Sequence, residues 1–109
     1  MSDPKRPWEC ADMSQVRDEI DRIDVALVDL IAERFGYVDR AWQLKSNPAD
    51  AVVPWRIQQV IDKVKARAGE KGLPPELTEA LWRQMIGWFV QYEEEKLRRS
   101  LEGNGGKGA

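Results

Sequence analysis

The stretch Gln15–Lys45, QVRDEIDRIDVALVDLIAERFGYVDRAWQLK, limits the fold more than any other part of the chain. It holds no proline and one glycine, and its apolar residues keep a regular spacing. Val16, Ile20, Ile23, Leu27, Leu30, Ile31, Val38 and Ala41 recur mostly in steps of three and four. That is the period of one helix face, not the alternation of a strand. A helix this long spans roughly 47 Å, whereas a compact chain of this size has a radius of gyration near ~13 Å. One end would protrude with its apolar stripe in water. A second copy lying alongside removes the problem, so the expectation is an intertwined homodimer. The alternative is a monomer whose long helix kinks near Gly36.

Two places of the same stripe hold cations. Arg34 lies three residues after Ile31 and four before Val38, and Lys45 lies seven after Val38. An amphipathic helix ordinarily keeps its cations on the wet face. Eleven residues bring Arg34 and Lys45 to one side within roughly 20°, about 16 Å apart along the axis. Long side chains can converge from there on one small dianion. A snorkelling Arg34 paired with a buried carboxylate fits the pattern equally well. Arg17 lies about 25 Å from Arg34 along the axis and about 100° round. Its spacing favours an i,i+4 pair with Asp21, although it could also reach a ligand held by a second chain.

The remaining segments also read as helix or connection. Residues 1–11 carry Pro4 and Pro7 and form an irregular arm, with Trp8 placed to pin it. Helix begins near Asp12 or Ser14, where Asp12-Met13-Ser14-Gln15 fits a capping box, and ends near Lys45 because Pro48 disfavours helix at Asn47. Pro54 suits the first turn of a second helix, with Ile57, Val60, Ile61, Val64 and Ala68 on one face. Gly72 followed by Leu73 reads as its left-handed stop. Pro74-Pro75 opens a third helix, expected to run to about Leu101. The glycine-rich end, 102–109, reads as a disordered tail. The expected fold is all-α: three helices, long, medium and long, in one domain over 12–101.

Composition narrows the chemistry. The chain has 109 residues, 42% apolar and 33% charged, with a net charge of −2. One modest core fits that length. The charge argues against a general nucleic-acid binder. No apolar run is long enough for a membrane span, and MSDPKRPWEC lacks the apolar segment of a secretory signal. The single cysteine, Cys10, cannot form an internal disulfide, and cytoplasmic residence is the expectation. Histidine is absent, which removes Ser–His and Cys–His nucleophiles and the usual metal ligand. No metal or cofactor is expected, and chemistry must rest on Arg, Lys and carboxylates.

The third helix holds a matching anomaly. Trp82, Ile86, Phe89, Glu93 and Leu97 make an apolar stripe in which Glu93 takes an apolar place. The run Glu93-Glu94-Glu95-Lys96 also reads as a solvated charged face, and only register sets Glu93 apart. A carboxyl desolvated in such a stripe tends to stay protonated and can donate a hydrogen bond. The tryptophans, Trp82 and Trp88 included, read mostly as core.

These residues resemble a known family. Val16-Arg17-Asp18-Glu19-Ile20-Asp21-Arg22-Ile23-Asp24, then Leu30-Ile31-Ala32-Glu33-Arg34, then Lys45, look like the all-helical, intertwined-dimer class of chorismate mutases. Gly72-Leu73 and Leu81-Trp82-Arg83-Gln84-Met85-Ile86 also fit, and the resemblance covers roughly residues 10–97. Trp8-Glu9-Cys10 and the Ile23-Asp24 region look like the isochorismate–pyruvate lyase relatives of that class.

The resemblance implies a pericyclic reaction on a small dianion, with no covalent intermediate. In this reading Arg17 reaches the other subunit's site and holds one carboxylate, and Arg34 holds the other. Lys45 donates to the ether oxygen and a carboxylate, Arg56 lies near the substrate, and Glu93 donates to the ether oxygen. Gln91 and Glu94 are the alternatives if the register slips. Two departures stand out. Ile57 occupies a position where well-known mutases carry Glu, which looks more like the lyases. Glu93 stands where Gln is common, so its protonated form is expected to act. Chorismate mutase is the leading expectation and isochorismate–pyruvate lyase the second. A non-catalytic helical dimerisation module is the third.

Overall fold

The computed structural model describes residues 3–108, with side chains described for 3–103. It is helical throughout. Helix α1 spans Met13–Gln43, α2 spans Pro54–Glu70 and α3 spans Pro75–Gly108, with short 3-10 turns at Pro7–Glu9 and Pro48–Ala51. Two compact units, Met1–Tyr37 and Val38–Ala109, divide the chain.

In the first unit Asp12 caps α1. Its Oδ1 accepts from the Gln15 N–H at 2.9 Å, and Gln15 Oε1 accepts from the Ala11 N–H at 2.7 Å. The reciprocal pair satisfies an otherwise unbonded helix-start donor, with the return bond one residue earlier than in the usual box. The arm is held by backbone, since the Lys5 N–H donates to Glu19 Oε2 at 3.1 Å and the Arg6 N–H to Glu9 Oε1 at 2.8 Å. Trp8 does not pin it: the residue is 75% exposed, with the Arg6 guanidinium over its ring. Helix α1 is unbroken through Gly36 and has no buried residue. Ile20, Ile23, Leu27, Leu30 and Ile31 are all about half exposed or more. Covering each would contribute about 1 kcal/mol.

The second unit has the core. Proline at the first position of both α2 and α3 fixes a helical φ where no N–H is needed. The α2 face expected from the sequence is the one turned inward, with Ile61 fully buried, Ala68 buried, and Ile57, Val60 and Val64 half-buried. Helix α3 turns Thr78, Phe89, Glu93 and Leu97 inward, with Trp82, Met85 and Ile86 half-buried between them. The tryptophans depart from expectation: Trp8, Trp55 and Trp88 are exposed, and Trp42 and Trp82 half-buried. The inner faces are already filled by Ile, Ala and Phe.

Element ends differ modestly from the sequence expectation. Helix α1 stops at Gln43, two residues before Lys45, and tightens into i→i−3 bonds at Leu44 and Lys45. Helix α3 continues to Gly108, past Leu101. Extending a formed helix needs only one more bond per residue. From residue 104 onward, the expected tail lies outside the residues whose side chains are described. No described helix is long and apolar enough to cross a membrane.

The α2 end is a complete left-handed stop. Gly72 has φ 72°. The Leu73 N–H reaches the Ala68 carbonyl at 2.8 Å and the Gly72 N–H reaches the Gly69 carbonyl at 3.3 Å, which closes the helix end on its own carbonyls. Two glycines three residues apart therefore carry opposite predictions. Gly72→Ala should cost about 1–2 kcal/mol, because a Cβ is disfavoured at positive φ. Gly69→Ala has nothing within 4 Å of the new Cβ and should stabilise by up to about 1 kcal/mol. Urea unfolding midpoints of the two variants, shifted in opposite directions, would check this.

Candidate active site

Helix α1 ends so as to deliver a lysine. After Gln43 the chain turns, with the Lys45 N–H bonded to the Trp42 carbonyl at 3.2 Å. The Lys45 side chain crosses to α3, where Nζ donates to Glu93 Oε2 at 2.7 Å. The two side chains are 26% and 9% exposed. Glu93 is thus a buried carboxylate in an apolar stripe, met by a half-buried ammonium. One of the ammonium's three donors is on Glu93, leaving two for a guest.

Beside this pair lies a second polar cluster. Asp39 Oδ1 accepts from the Tyr92 hydroxyl at 2.6 Å and from the Trp42 indole N–H at 2.7 Å. The Tyr92 hydroxyl, and secondly the Trp42 indole, hold the Asp39 carboxyl below the usual carboxylate range. The same bond pushes the Tyr92 hydroxyl up. The Tyr92 ring stacks on Trp88 at 5.7 Å between centroids, and Lys96 Nζ lies 5.5 Å from the ring centroid.

An open cleft of about 420 Å³ runs along α3. Val52, Ile57, Ile86 and Val90 give it an apolar floor, with Gly87, Arg83, Gln91 and Glu94 around them.

The expected site residues fall out as follows. Lys45 and Glu93 are brought together. Gln91 and Glu94 line the cleft instead, as does Ile57. Arg56 is exposed and donates to Gln59 Oε1 at 2.7 Å, one turn on along its own helix. In the first unit, Arg34 is half-buried and Arg17 exposed. The Arg17–Asp21 pair favoured by spacing is absent: among the described residues Arg17 makes no ion pair, and Glu19 pairs with Arg22 at 2.7 Å. Asp39, Trp42 and Tyr92 were not singled out from the sequence. Their one local sign is the i,i+3 spacing of Asp39 and Trp42. Tyr92, 53 positions from Asp39, gives none.

The described residues thus form an all-α chain in which a lysine is drawn onto a buried carboxylate. The particular family follows from comparison. Residues 16–94 match the family described as chorismate mutase type II, and the chain belongs to that family. It is similar to an isochorismate pyruvate lyase of Pseudomonas aeruginosa, 31% identical over 99 residues, covering 91% of this chain and 97% of that protein. It is also similar to a T-protein of Enterobacter agglomerans, 31% identical over 92 residues, covering 84% of this chain but 25% of that longer protein. The matched span contains Arg17, Arg34, Lys45, Arg56, Ile57 and Glu93.

The Asp39 cluster yields a stability prediction. A folded-state pKa below the unfolded one adds stability that is present above the ordinary Asp value of about 3.9. That stability is lost as pH falls through the folded value. Asp39→Asn keeps an acceptor oxygen and removes the charge. The gap in thermal midpoint between wild type and Asp39→Asn should be widest near neutral pH and close in acid. A gap that stays constant from about pH 7 to 3 would contradict this.

Proposed function

We propose that the chain is a chorismate mutase, converting chorismate to prephenate, the precursor of phenylalanine and tyrosine. The observation that carries this reading is the 2.7 Å bond between Lys45 and Glu93, inside the span that matches the family. Chorismate carries two carboxylates and an enol-ether oxygen. As it rearranges, the ether C–O bond breaks while the enolpyruvyl methylene bonds to the ring, and negative charge builds on the oxygen. A lysine donor aimed at that oxygen stabilises the transition state more than the ground state. Holding the flexible substrate in its compact conformer supplies the rest. Arg34 takes one carboxylate, Lys45 bridges the other and the ether oxygen, and Glu93, bonded to the Lys45 ammonium, sits beside the same oxygen. Arg56 and Ile57 border the substrate.

Arg17 acts across a homodimer in this proposal. The exposed apolar residues of α1 supply a face for a second copy, and the exposed Arg17 then reaches the partner's site. The assembly works in the cytoplasm.

A specific observation favours a second reading. The similarity to the isochorismate pyruvate lyase extends over nearly its whole length, and apolar Ile57 lines the cleft at the position where the resemblance expects a carboxylate in efficient mutases. Isochorismate also loses its ether C–O bond, here as a ring hydrogen moves to the methylene carbon, giving salicylate and pyruvate. The same cations serve both reactions.

Separate incubations with chorismate and isochorismate decide between them. Prephenate from chorismate supports the first reading, salicylate from isochorismate the second, and no turnover of either would remove both. Light scattering should give twice the chain mass. Arg34→Ala should lower kcat/KM at least about a hundredfold while the dimer persists. Glu93→Ala, which leaves the Lys45 ammonium without its bonded partner, should also lower kcat/KM while the dimer persists.

A further inference from the structure

Lys45 lies beyond the last α1 residue, in a segment with no helix of its own to aim it. Glu93 lies in the middle of α3, and nothing in the chain's local geometry brings the two to 2.7 Å. We propose that Asp39 and Tyr92 are positioning residues of the active site: their bond fixes the end of α1 carrying Lys45 to the turn of α3 carrying Glu93. The inference rests on the function proposed above and deepens it.

The bonds form a closed ring. Tyr92, the residue before Glu93, gives its hydroxyl proton to Asp39 Oδ1 at 2.6 Å, and the Trp42 indole N–H reaches the same oxygen at 2.7 Å. The Trp42 carbonyl accepts from the Lys45 backbone N–H at 3.2 Å. Lys45 Nζ then returns to Glu93 Oε2 at 2.7 Å. Trp42 is therefore tied at both ends, by its indole to Asp39 and by its carbonyl to Lys45. Tyr92 is steadied by the near-parallel Trp88 ring, at 13° between planes.

The ring has mechanical consequences. A long lysine has several rotatable bonds, and a free one would sample many positions. Here the backbone that carries Lys45 is anchored through Trp42 to the same turn of α3 that carries its target. Removing the Tyr92 hydroxyl would leave the Lys45–Glu93 bond as the remaining link of this ring between α1's end and α3, without touching Lys45, Glu93 or the apolar core. A displacement of about 1 Å at a reacting group can cost about a hundredfold in rate, so a small release matters.

Tyr92→Phe keeps the ring and its stack on Trp88 and deletes the hydroxyl. With chorismate and isochorismate as substrates, at a temperature where circular dichroism reports full folding, kcat should fall about ten- to a hundredfold. KM should stay within about threefold. Asp39→Ala should match it, and the double variant should be no worse than either single one. Asp39→Asn, which still accepts both bonds, should retain most of kcat. A clamp serving only stability would lower the unfolding midpoint and leave kcat of the folded enzyme unchanged, and that result would overturn the proposal. So would losses that multiply in the double variant.

A second readout does not depend on turnover. In protein labelled with 15N-lysine, the bonded Lys45 ammonium should give a slowly exchanging signal, assigned by its loss in Lys45→Met. It should disappear in Tyr92→Phe and Asp39→Ala. If the wild type turns over neither substrate, the proposed function fails and this signal alone decides. Its loss in both variants supports the clamp, and its persistence overturns it.

Discussion

A lysine ammonium and a buried carboxylate meet at 2.7 Å, and the proposed site is built around that contact. Its energetics are nearly neutral for folding. Withdrawing each ion from water costs several kcal/mol in an apolar setting, and mutual attraction only roughly returns it. A Leu at position 93 would continue the α3 stripe at no such cost. The pair makes better sense as a site held ready. An anionic guest can take up donors of the ammonium while the carboxyl stays in place as a second polar partner. The surrounding apolar residues keep bulk water, which would screen both, at a distance.

Much of this was legible in the sequence because helices announce themselves locally. The periodicity of α1, the proline openings of α2 and α3, and Gly72 as a left-handed stop each follow from residues within one or two turns. Glu93 was legible by register alone: its neighbours make the run read as a solvated face, but its place in the apolar stripe is the one that turns inward. The Asp39–Tyr92 bond was not. It joins residues 53 positions apart, and tyrosine fits an apolar stripe or a polar contact equally well. Arg17 was misread in its neighbourhood: spacing allows a pair with Asp21, but Glu19, held by the Lys5 N–H as well, is the carboxylate that takes up a cation, from Arg22. Tryptophan misled in a simpler way. Hydrophobicity says that an indole prefers burial, but not whether the inner faces of a short α2 and α3 have room for it.

The exposed face of α1 and the half-buried lysine–glutamate pair belong to one physical argument. A chain of this length has too little interior to bury a long helix and a charged site at once. In the proposed dimer, Ile20, Ile23, Leu27, Leu30 and Ile31 gain cover from a second copy. The cation Arg17, carried on that same helix, arrives where its charge is needed. Stability and catalysis then draw on one association. The expected consequence is an enzyme whose activity is lost together with its dimer, not after it.

The choice between the two pericyclic outcomes turns on what surrounds the cations more than on the cations themselves. Both compounds present two carboxylates and an ether oxygen, and in both the C–O bond breaks with charge moving onto oxygen, so in the proposed site Lys45, Arg34 and Glu93 act alike in each. They differ in whether the enolpyruvyl carbon bonds to the ring or accepts a hydrogen from it. Side chains that press on the ring and its hydroxyl decide that, through shape and through the hydrogen bond they offer or withhold. Ile57 offers none. An apolar side chain leaves a ring hydroxyl in its reach unsatisfied, which costs about 1–3 kcal/mol, and so disfavours a substrate whose hydroxyl points there. Chorismate and isochorismate differ in the position of that hydroxyl, so if Ile57 borders the substrate as proposed, it discriminates between them without touching a reacting atom.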